Sequence, residues 1–237
     1  MSVEEAKKKA ASQAVDDYVK DNMIVGLGSG STVVYAAQRL AERVKKEGLR
    51  IKCVPTSFQS YQLCVEYGLT LTSLDVNPVL DVDIDGADEI DAQLNLIKGG
   101  GGCHVQEKIV ASCAKKLVII ADYRKKAQTL GQAWKKGVPV EVIPLGYVPV
   151  MKKLEAMGGK AKLRMAVAKA GPVVSDNGNF IIDVDFGEIR DPKTLDHLIK
   201  MLPGVVDTGF FIEMAERAYI GEEDGKVTIL DRKVRKK

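Results

Sequence analysis

The chain has 237 residues, of which 46% are hydrophobic and 28% are charged, and this composition excludes a disordered chain. The length suits one large domain or two small ones and allows a sizeable buried core. Because 35 lysine and arginine residues nearly balance 32 aspartate and glutamate residues, we expect no nucleic-acid partner. We expect a frayed tail, rather than a binding arm, at the terminal basic cluster Arg232, Lys233, Arg235, Lys236 and Lys237.

The remaining composition predicts a cytoplasmic protein without a membrane partner. The amino-terminal segment is charged and lacks the apolar stretch of a secretory signal. No uncharged apolar run reaches the ~18 residues that a membrane span needs. The four cysteines include no C-x-x-C pair, and the sequence has only two histidines, so we expect reduced thiols and no metal site.

The first half of the chain alternates strands with helices, which predicts a parallel sheet with helices on both faces. Hydrophobic periodicity predicts helices over 3–19, 32–46 and 57–68 and after Gly102. Short strands are predicted within 23–32, 51–54, 79–91 and 117–122. We expect the hydroxyl of Ser31 or Thr32 to cap the helix that starts there.

The segment 130–146 is rich in glycine and proline, and we predict a domain boundary there. The elements predicted beyond it are a strand at 139–143, a helix at 148–157, a strand at 160–165, hairpin strands around 176–179, a helix at 192–201 and a strand at 204–211. This order predicts a small split-βαβ domain, followed by short strands that return to the first domain. We therefore expect an α/β domain over 1–132 plus 208–237 and an α+β domain over 133–207.

A glycine-rich loop, Gly26–Thr32, lies between a predicted strand and a predicted helix. Such a loop offers backbone N–H groups, a helix N-terminus and hydroxyls to an anion. A dinucleotide fingerprint would need glycine in place of Ser31, and a P-loop would need a lysine. We expect a monophosphate here, and a tight turn with an N-cap is the alternative.

An acidic segment follows the strand within 79–91, and its residues are Asp85, Gly86, Ala87, Asp88 and Glu89. This position is the carboxyl end of the sheet, where open α/β folds bind ligands. Because clustered carboxylates repel one another, we expect one of them to have a raised pKa and to act as an acid or base. The alternative is a solvated acidic turn. We assign Asp81 and Asp83 to the sheet edge or to solvent.

Lys98 precedes four consecutive glycines, Gly99, Gly100, Gly101 and Gly102. Ordering four glycines costs conformational entropy, so we expect this backbone to lie close to a ligand. Lys98 would then supply a fixed cation for a developing oxyanion. The alternative is a flexible linker.

Spacing alone favours ordinary roles for Glu107 and Lys125. Glu107 lies in the first turn of a helix, off the apolar stripe of Val105, Ile109 and Val110, where a glutamate stabilises the helix dipole or closes a capping box. Lys125 follows the strand at 117–122, and a lone lysine there is usually solvated.

Seven blocks of the sequence together resemble A-type ribose-5-phosphate isomerases. They are VGLGSGST (25–32), DVDIDGADEID (81–91), LIKGGGGCHVQEKIVA (96–111), IADYRKKAQTLG (120–131), VPVEVIPLG (138–146), SDNGNFIIDV (175–184) and PGVVDTGFF (203–211). The blocks occur in the family's order and span nearly the whole chain. One departure is Gly102-Cys103-His104, where small residues are usual, and we expect His104 to be a helix-start residue rather than a second base.

The resemblance implies a Rossmann-like domain with a smaller ferredoxin-like domain. It also implies an aldose–ketose isomerase of the non-oxidative pentose phosphate pathway, acting on ribose 5-phosphate and ribulose 5-phosphate through an enediolate. No metal, nucleotide or other cofactor is implied, and family members are homodimers or homotetramers.

The resemblance also assigns roles to residues. Glu107 would move a proton between C1 and C2, and Asp85, Asp88 and Lys98 would contact the sugar, assist ring opening and stabilise the oxyanion. The residues implied in substrate binding are Ser29, Gly30, Ser31, Thr32, Asp85, Gly86, Ala87, Asp88, Lys98, Gly99, Gly100, Gly101 and Lys125.

Two other functional classes stay open at this point. A phosphosugar-sensing module would bind the ligand without turnover, but few residues precede the first glycine loop to form a helix-turn-helix. The acid, base and lysine set also argues for turnover. A related sugar-phosphate isomerase or an acyl-CoA transferase on a similar fold is the third possibility, and no glutamate nucleophile motif is apparent for the transferase.

Overall fold

The computed structural model describes residues 1–232, so most of the basic tail, 233–237, lies outside the described residues. The chain divides into two compact units. Unit 1 comprises Met1–Ala87, Gln106–Lys125 and the described residues from Glu213 onward. Unit 2 comprises Asp88–Val105 and Lys126–Ile212.

The helices and strands follow the predicted chain order closely. They are α1 (Val3–Tyr18), β1 (Ile24–Leu27), α2 (Val33–Glu47), β2 (Lys52–Pro55), α3 (Phe58–Glu66), β3 (Val82–Asp85), β4 (Glu89–Ile90), β5 (Leu96–Ile97), α4 (His104–Cys113), β6 (Leu117–Asp122), β7 (Val138–Val142), α5 (Tyr147–Ala156), β8 (Lys160–Leu163), β9 (Phe180–Asp185), α6 (Pro192–Lys200), β10 (Val205–Thr208), β11 (Phe210–Phe211), β12 (Ala215–Gly221) and β13 (Val227–Asp231). Short 3₁₀ turns cover Tyr123–Lys125 and Pro144–Gly146.

Unit 1 contains a six-stranded sheet in the order β13-β12-β6-β3-β1-β2. Strands β12, β6, β3, β1 and β2 pair in parallel, and β13 is antiparallel to β12. Every residue of β3 and β6 is buried, as in parallel strands that are covered on both faces. The predicted parallel α/β sheet is confirmed, including the return of the carboxyl-terminal strands to it.

The helices of unit 1 begin in two different ways. Ser2 caps α1 through a capping box with Glu5, and alanines on the buried face of this helix let it pack closely on α2, β6 and β12. The predicted hydroxyl cap of α2 is wrong, because Thr32 already has helical backbone angles and its side chain makes no capping hydrogen bond. A hydroxyl cap needs an extended N-cap residue. Ser31 instead accepts a hydrogen bond from Lys7.

Unit 2 contains a four-stranded antiparallel sheet in the order β10-β7-β9-β8, which α5 and α6 complete. In chain order these elements read β7-α5-β8-β9-α6-β10, so the predicted ferredoxin-like α+β arrangement is confirmed. The core of this unit includes Val140 and Ile182 from the sheet, Leu154 from α5 and Ile199 from α6, all fully buried.

The units divide the chain differently from the predicted domains. Segments 88–105, 126–132 and 208–212 belong to unit 2, where β11, β5 and β4 form a small three-stranded sheet. Ile97, Leu130 and Phe210 contribute to the core of the same unit. The predicted boundaries, 1–132 plus 208–237 and 133–207, stay a prediction about independently stable domains.

Among residues 1–232, no helix combines the length and the apolar character that crossing a lipid bilayer requires.

Candidate active site

In unit 1, the loops after β1 and β3 lie side by side at the carboxyl edge of the parallel sheet. Asp85 ends β3 and is fully buried, and its Oδ1 accepts hydrogen bonds from the backbone N–H groups of Ser29 at 3.0 Å and Gly86 at 2.6 Å. A Cβ atom on Gly28 would overlap the Asp85 carboxylate, so this close approach requires glycine. The structure thus brings the predicted phosphate loop and the first predicted catalytic aspartate together.

Hydroxyl groups gather around the side chain of Ser29. Its Oγ lies 2.9 Å from Thr56 Oγ1 and donates to Ser57 Oγ at 2.6 Å. The backbone N–H of Gly30 donates to Gln59 Oε1 at 2.8 Å. The sequence did not predict these residues after β2 as part of the site. The signal that could have found them is that β2 and β1 are parallel neighbours, so the loops that follow them share an edge.

Lys7, on α1, is a polar residue of this region that was not predicted from the sequence. It is 7% exposed, and its Nζ donates to Ser31 Oγ at 3.0 Å and to Glu4 Oε1 at 2.7 Å. The available signal is helical spacing, because Lys7 lies three and four residues before Ala10 and Ala11 on the buried face. An ammonium group therefore lies beside the loop predicted to bind a monophosphate.

The assignment of Asp83 to the sheet edge or solvent is wrong, because β3 is covered on both faces and Asp83 is fully buried. A Cβ atom on Gly26 of the neighbouring strand would lie 2.5 Å from Asp83 Oδ1, so the glycine leaves room for this carboxylate. Asp81 is half-buried and forms an ion pair with Lys115 at 2.8 Å.

Glu107 lies in the first turn of α4, as predicted, and is only 4% exposed. This burial disfavours a purely solvated role at the helix end. The apolar stripe predicted beside it is only partly buried, because Val105 and Val110 are buried whereas Ile109 is 49% exposed.

Lys125 is half-buried in the 3₁₀ turn after β6. The buried Asp122 beside it accepts hydrogen bonds from Arg124 Nε at 2.6 Å and Nη2 at 3.1 Å. Burial acts to raise the pKa of Asp122, but the hydrogen bonds and charge of the Arg124 guanidinium outweigh it and hold this pKa below its usual value.

In unit 2, the glycine loop is attached to Asp88. The Asp88 backbone N–H donates to the Ile97 carbonyl at 2.8 Å, and Asp88 Oδ2 accepts from the Gly100 N–H at 2.6 Å. A Cβ atom on Gly100 would lie 2.7 Å from Asp88 Oδ1 and 2.8 Å from the Trp134 ring, so this position requires glycine. The alternative of a flexible linker is therefore wrong.

Lys98 precedes this loop and is 2% exposed. Its Nζ lies 5.3 Å from the centroid of the Phe211 ring, a cation–π contact. An ammonium at so buried a position is held in place and is stronger electrostatically than one in water.

The last residue of the acidic segment, Glu89, is held by backbone hydrogen bonds. Glu89 is buried and accepts hydrogen bonds from the backbone N–H groups of Gly131, at 2.7 Å, and Ala133. Because Asp85 and Glu89 are both buried, the solvated acidic turn is wrong. The raised pKa expected for one of these carboxylates stays a prediction.

His104 begins α4 and is buried, as expected of a helix-start residue.

No group of three or more His, Cys, Asp and Glu side chains within residues 1–232 is arranged to hold a metal ion. In unit 1, the groups that can bind a ligand are N–H groups, hydroxyls, an ammonium and carboxylates. Unit 2 offers a buried ammonium, a carboxylate and glycine backbone.

These features define a class, the α/β proteins that bind a ligand at the carboxyl edge of a parallel sheet. A sequence profile described as ribose 5-phosphate isomerase A (phosphoriboisomerase A) matches residues 52–225. The Homo sapiens ribose-5-phosphate isomerase is 56% identical over 230 residues, which are 97% of this chain and 74% of that protein. The chain belongs to the ribose 5-phosphate isomerase A family.

Two further comparisons agree with this assignment. The Dictyostelium discoideum ribose-5-phosphate isomerase is 57% identical over 229 residues, covering 95% of this chain and 97% of that protein. A solved D-ribose-5-phosphate isomerase in complex with phospho-erythronic acid superimposes with a TM-score of 0.94 at 42% identity, covering 98% of this chain and 100% of that chain.

Proposed function

We propose that this chain is an aldose–ketose isomerase that interconverts D-ribose 5-phosphate and D-ribulose 5-phosphate in the non-oxidative pentose phosphate pathway. The observation that carries the proposal is the presence of a buried carboxylate, Glu107, and a buried ammonium, Lys98, in a chain whose relatives are named for this reaction. This acid–base set favours turnover over a non-catalytic phosphosugar sensor.

The reaction transfers one proton between neighbouring carbons through an enediolate. A base removes the proton from C2 of the open-chain aldose, and the electron pair of that C–H bond forms the C1–C2 double bond while the carbonyl oxygen gains negative charge. Returning the proton to C1 and moving the hydroxyl proton from O2 to O1 gives the ketose. We assign the carbon-to-carbon transfer to the Glu107 carboxylate, whose 4% exposure restricts the access of water to it without closing it off.

Lys98 and the two aspartates act on the sugar oxygens. The buried ammonium of Lys98 stabilises the oxyanion as it develops, without solvent reorganisation. Asp85 and Asp88 each accept a backbone N–H, which orients the carboxylate that receives or delivers a proton when the furanose ring opens. The backbone groups that we assign to sugar binding belong to Gly86, Ala87, Gly99, Gly100 and Gly101.

The phosphate is assigned to the loop from Ser29 to Thr32, with Lys7 and Lys125 as its cations. The Lys7 ammonium already donates to the Ser31 hydroxyl, and the hydroxyls and backbone N–H groups of Ser31 and Thr32 are donors suited to an anion. A phosphate held at the far end of the sugar supplies binding energy remote from the reacting carbons.

We further propose that the enzyme is metal-independent and cytoplasmic and that it forms a homodimer or homotetramer. A fixed ammonium, Lys98, supports the first point, because it can stabilise a developing oxyanion as a bound metal ion would. The apolar face of α3 supports self-association, since Phe58, Tyr61 and Val65 are 64%, 47% and 58% exposed along one side of the helix.

A proton NMR assay in deuterated water tests the reaction and its mechanism together. We expect ribose 5-phosphate to be converted to ribulose 5-phosphate at the same rate with and without EDTA, with deuterium entering at C1 of the ketose. Deuterium enters because the proton on the Glu107 carboxylate exchanges with solvent during the enediolate's lifetime. A direct hydride shift would leave C1 free of deuterium, and loss of activity in EDTA would contradict metal independence.

A further inference from the structure

We infer that Arg164 is a positioning residue of the isomerase site: fixed by Asp183, it holds the carbonyl groups of Gly99 and Gly100 and so keeps the catalytic glycine loop in shape. This inference rests on the proposed function, because the loop carries Lys98 and the donor to Asp88. Arg164 lies outside every block considered above as a source of substrate contacts.

The Arg164 side chain is held on the sheet of unit 2. Arg164 directly follows β8, and its backbone N–H donates to the Ile181 carbonyl of β9 at 2.8 Å. Its Nε donates to Asp183 Oδ2 at 2.8 Å and its Nη2 to Asp183 Oδ1 at 2.5 Å. This two-point pairing matches the planar guanidinium to the carboxylate and fixes the plane of the guanidinium.

The remaining nitrogen of that guanidinium points at the glycine loop. Arg164 Nη1 lies 2.9 Å from the Gly99 carbonyl oxygen and 3.3 Å from the Gly100 carbonyl oxygen. The Gly99 carbonyl also accepts the Gly102 N–H at 2.9 Å, which closes the loop into a turn. Two consecutive carbonyls thus face one cation, an arrangement that flexible glycines do not hold by themselves.

Fixing the Gly100 peptide has a consequence for Asp88. The carbonyl of Gly100 faces Arg164, while the N–H of the same residue donates to Asp88 Oδ2 at 2.6 Å. Arg164 and Asp88 therefore hold the two polar groups of one residue. Releasing the carbonyl would let this residue rotate and turn its N–H away from the carboxylate.

The Asp183 carboxylate already neutralises the charge of Arg164. Arg164 therefore differs from a cation that binds the substrate. The side chains of Arg164 and Asp183 are 16% and 20% exposed, and the three guanidinium nitrogens make four hydrogen bonds within the chain. Arg164 also lines a cavity of about 490 Å³ together with Lys162 and Asp183, so a small cation can reach this position from solvent.

The test compares kcat and KM among variants of the full-length enzyme with ribose 5-phosphate as substrate. We expect Arg164→Met to lower kcat about 100-fold, because a small misplacement of catalytic groups has effects of this size. We expect KM to rise much less than kcat falls, because Arg164 holds only the glycine loop and the phosphate contacts lie elsewhere. Asp183→Asn should lower kcat about 10-fold, as loss of a supporting partner does.

Three further measurements test positioning against simple loss of fold. Rates are expressed per binding site, counted by calorimetric titration with phospho-erythronic acid, so unfolded molecules do not contribute. In Arg164→Ala, added guanidinium ion at non-denaturing concentration should restore part of kcat, whereas potassium chloride of equal ionic strength should not. The Arg164→Met, Asp183→Asn double variant should be no slower than Arg164→Met alone, because the two side chains act as one unit.

The matched control is Arg190→Met, which removes an arginine of the same unit that is 88% exposed and 3.8 Å from Glu188. It should leave kcat unchanged. An unchanged kcat in Arg164→Met, or a loss matched by an equal loss of binding sites, would overturn the inference while leaving the proposed function intact. An inactive wild-type enzyme would overturn both.

Discussion

The role that we assign to Lys7, phosphate binding, can be tested separately from proton transfer. Its Nζ lies 3.0 Å from Ser31 Oγ in the loop to which we assign the phosphate. A hydrogen bond to a charged group contributes ~1.5–3 kcal/mol, which corresponds to about 10- to 100-fold in affinity. We therefore expect Lys7→Met to raise KM by about 10- to 100-fold with little change in kcat.

Steady-state kinetics with ribose 5-phosphate check this, and Lys8→Met, at the exposed neighbouring position, is the control. A fall in kcat at constant KM in Lys7→Met would contradict the assignment, since it would move Lys7 from phosphate binding to the reacting carbons.

At the residue level, the burial of Asp83 and the contacts of Arg164 could not be predicted from the sequence. Asp83 alternates with Val82 and Ile84, and such alternation is typical of a strand with one exposed face. Its burial depends on Gly26, 57 positions away in the hydrogen-bonded neighbouring strand, so no local pattern contains it. The positioning role inferred for Arg164 likewise depends on its contacts with Asp183 and with the glycine loop, which is distant in sequence.

At the level of elements, α1 packs on β12 through a buried tyrosine. Tyr219 is fully buried, its Oη donates to Asp17 Oδ2 at 2.7 Å, and its ring meets Tyr18 edge-on at 6.3 Å. Burial, with a further contribution from the hydrogen bond to Asp17, raises the pKa of Tyr219 to about 12, from 10.0 for an ordinary tyrosine.

This pKa predicts a pH dependence of stability. The folded state holds the Tyr219 proton more tightly than the unfolded state, so the resulting stabilisation is complete below about pH 10 and is lost as the pH rises through about 12. We expect the free-energy difference of unfolding between wild type and Tyr219→Phe to shrink over this range. Urea unfolding at pH 8 and pH 11 measures it, with Tyr123→Phe, at a half-buried position outside the α3 face, as control. Equal pH dependence in wild type and Tyr219→Phe would contradict the prediction.

Most elements of the fold could be predicted from the sequence because each carries a local signal. The run 117–121 is continuously apolar, as buried parallel strands are, and the glycine and proline at 130–146 mark the change of composition. The cap of α2 could not be predicted, because Thr32 continues the helical backbone and Ser31 is drawn to Lys7 on another helix. Short strands such as β4 and β5 have too few residues to show a period.

The candidate site was predictable for a related reason. Gly28, Asp85 and Lys98 lie in short segments whose composition is unusual in itself. Glu107 was different, since a first-turn glutamate has an ordinary explanation, and only the resemblance to a family favoured the functional one. Its 4% exposure is a tertiary property that spacing does not encode.

For the whole molecule, self-association is the property that the exposed face of α3 predicts. We expect sedimentation velocity to give a mass of two or four times the 25.8 kDa of one chain. Val65→Asp should lower that mass, because it places a charge in the apolar face, whereas Val167→Asp, at an exposed site of unit 2, should not. A monomeric wild-type protein would contradict the oligomer, and an unchanged mass in Val65→Asp would contradict this face as the interface.

The proposed isomerisation requires proton transfer by Glu107, and the kcat of Glu107→Gln measures how much the reaction depends on that transfer. Glutamine keeps the shape of the side chain but cannot accept the proton, and general-base catalysis contributes about 10²- to 10⁴-fold. We predict a loss of kcat in this range with KM little changed and with phospho-erythronic acid still bound, whereas Glu66→Gln, at an exposed position of α3, keeps wild-type kcat. A near-normal kcat in Glu107→Gln would show that the Glu107 carboxylate does not transfer the proton.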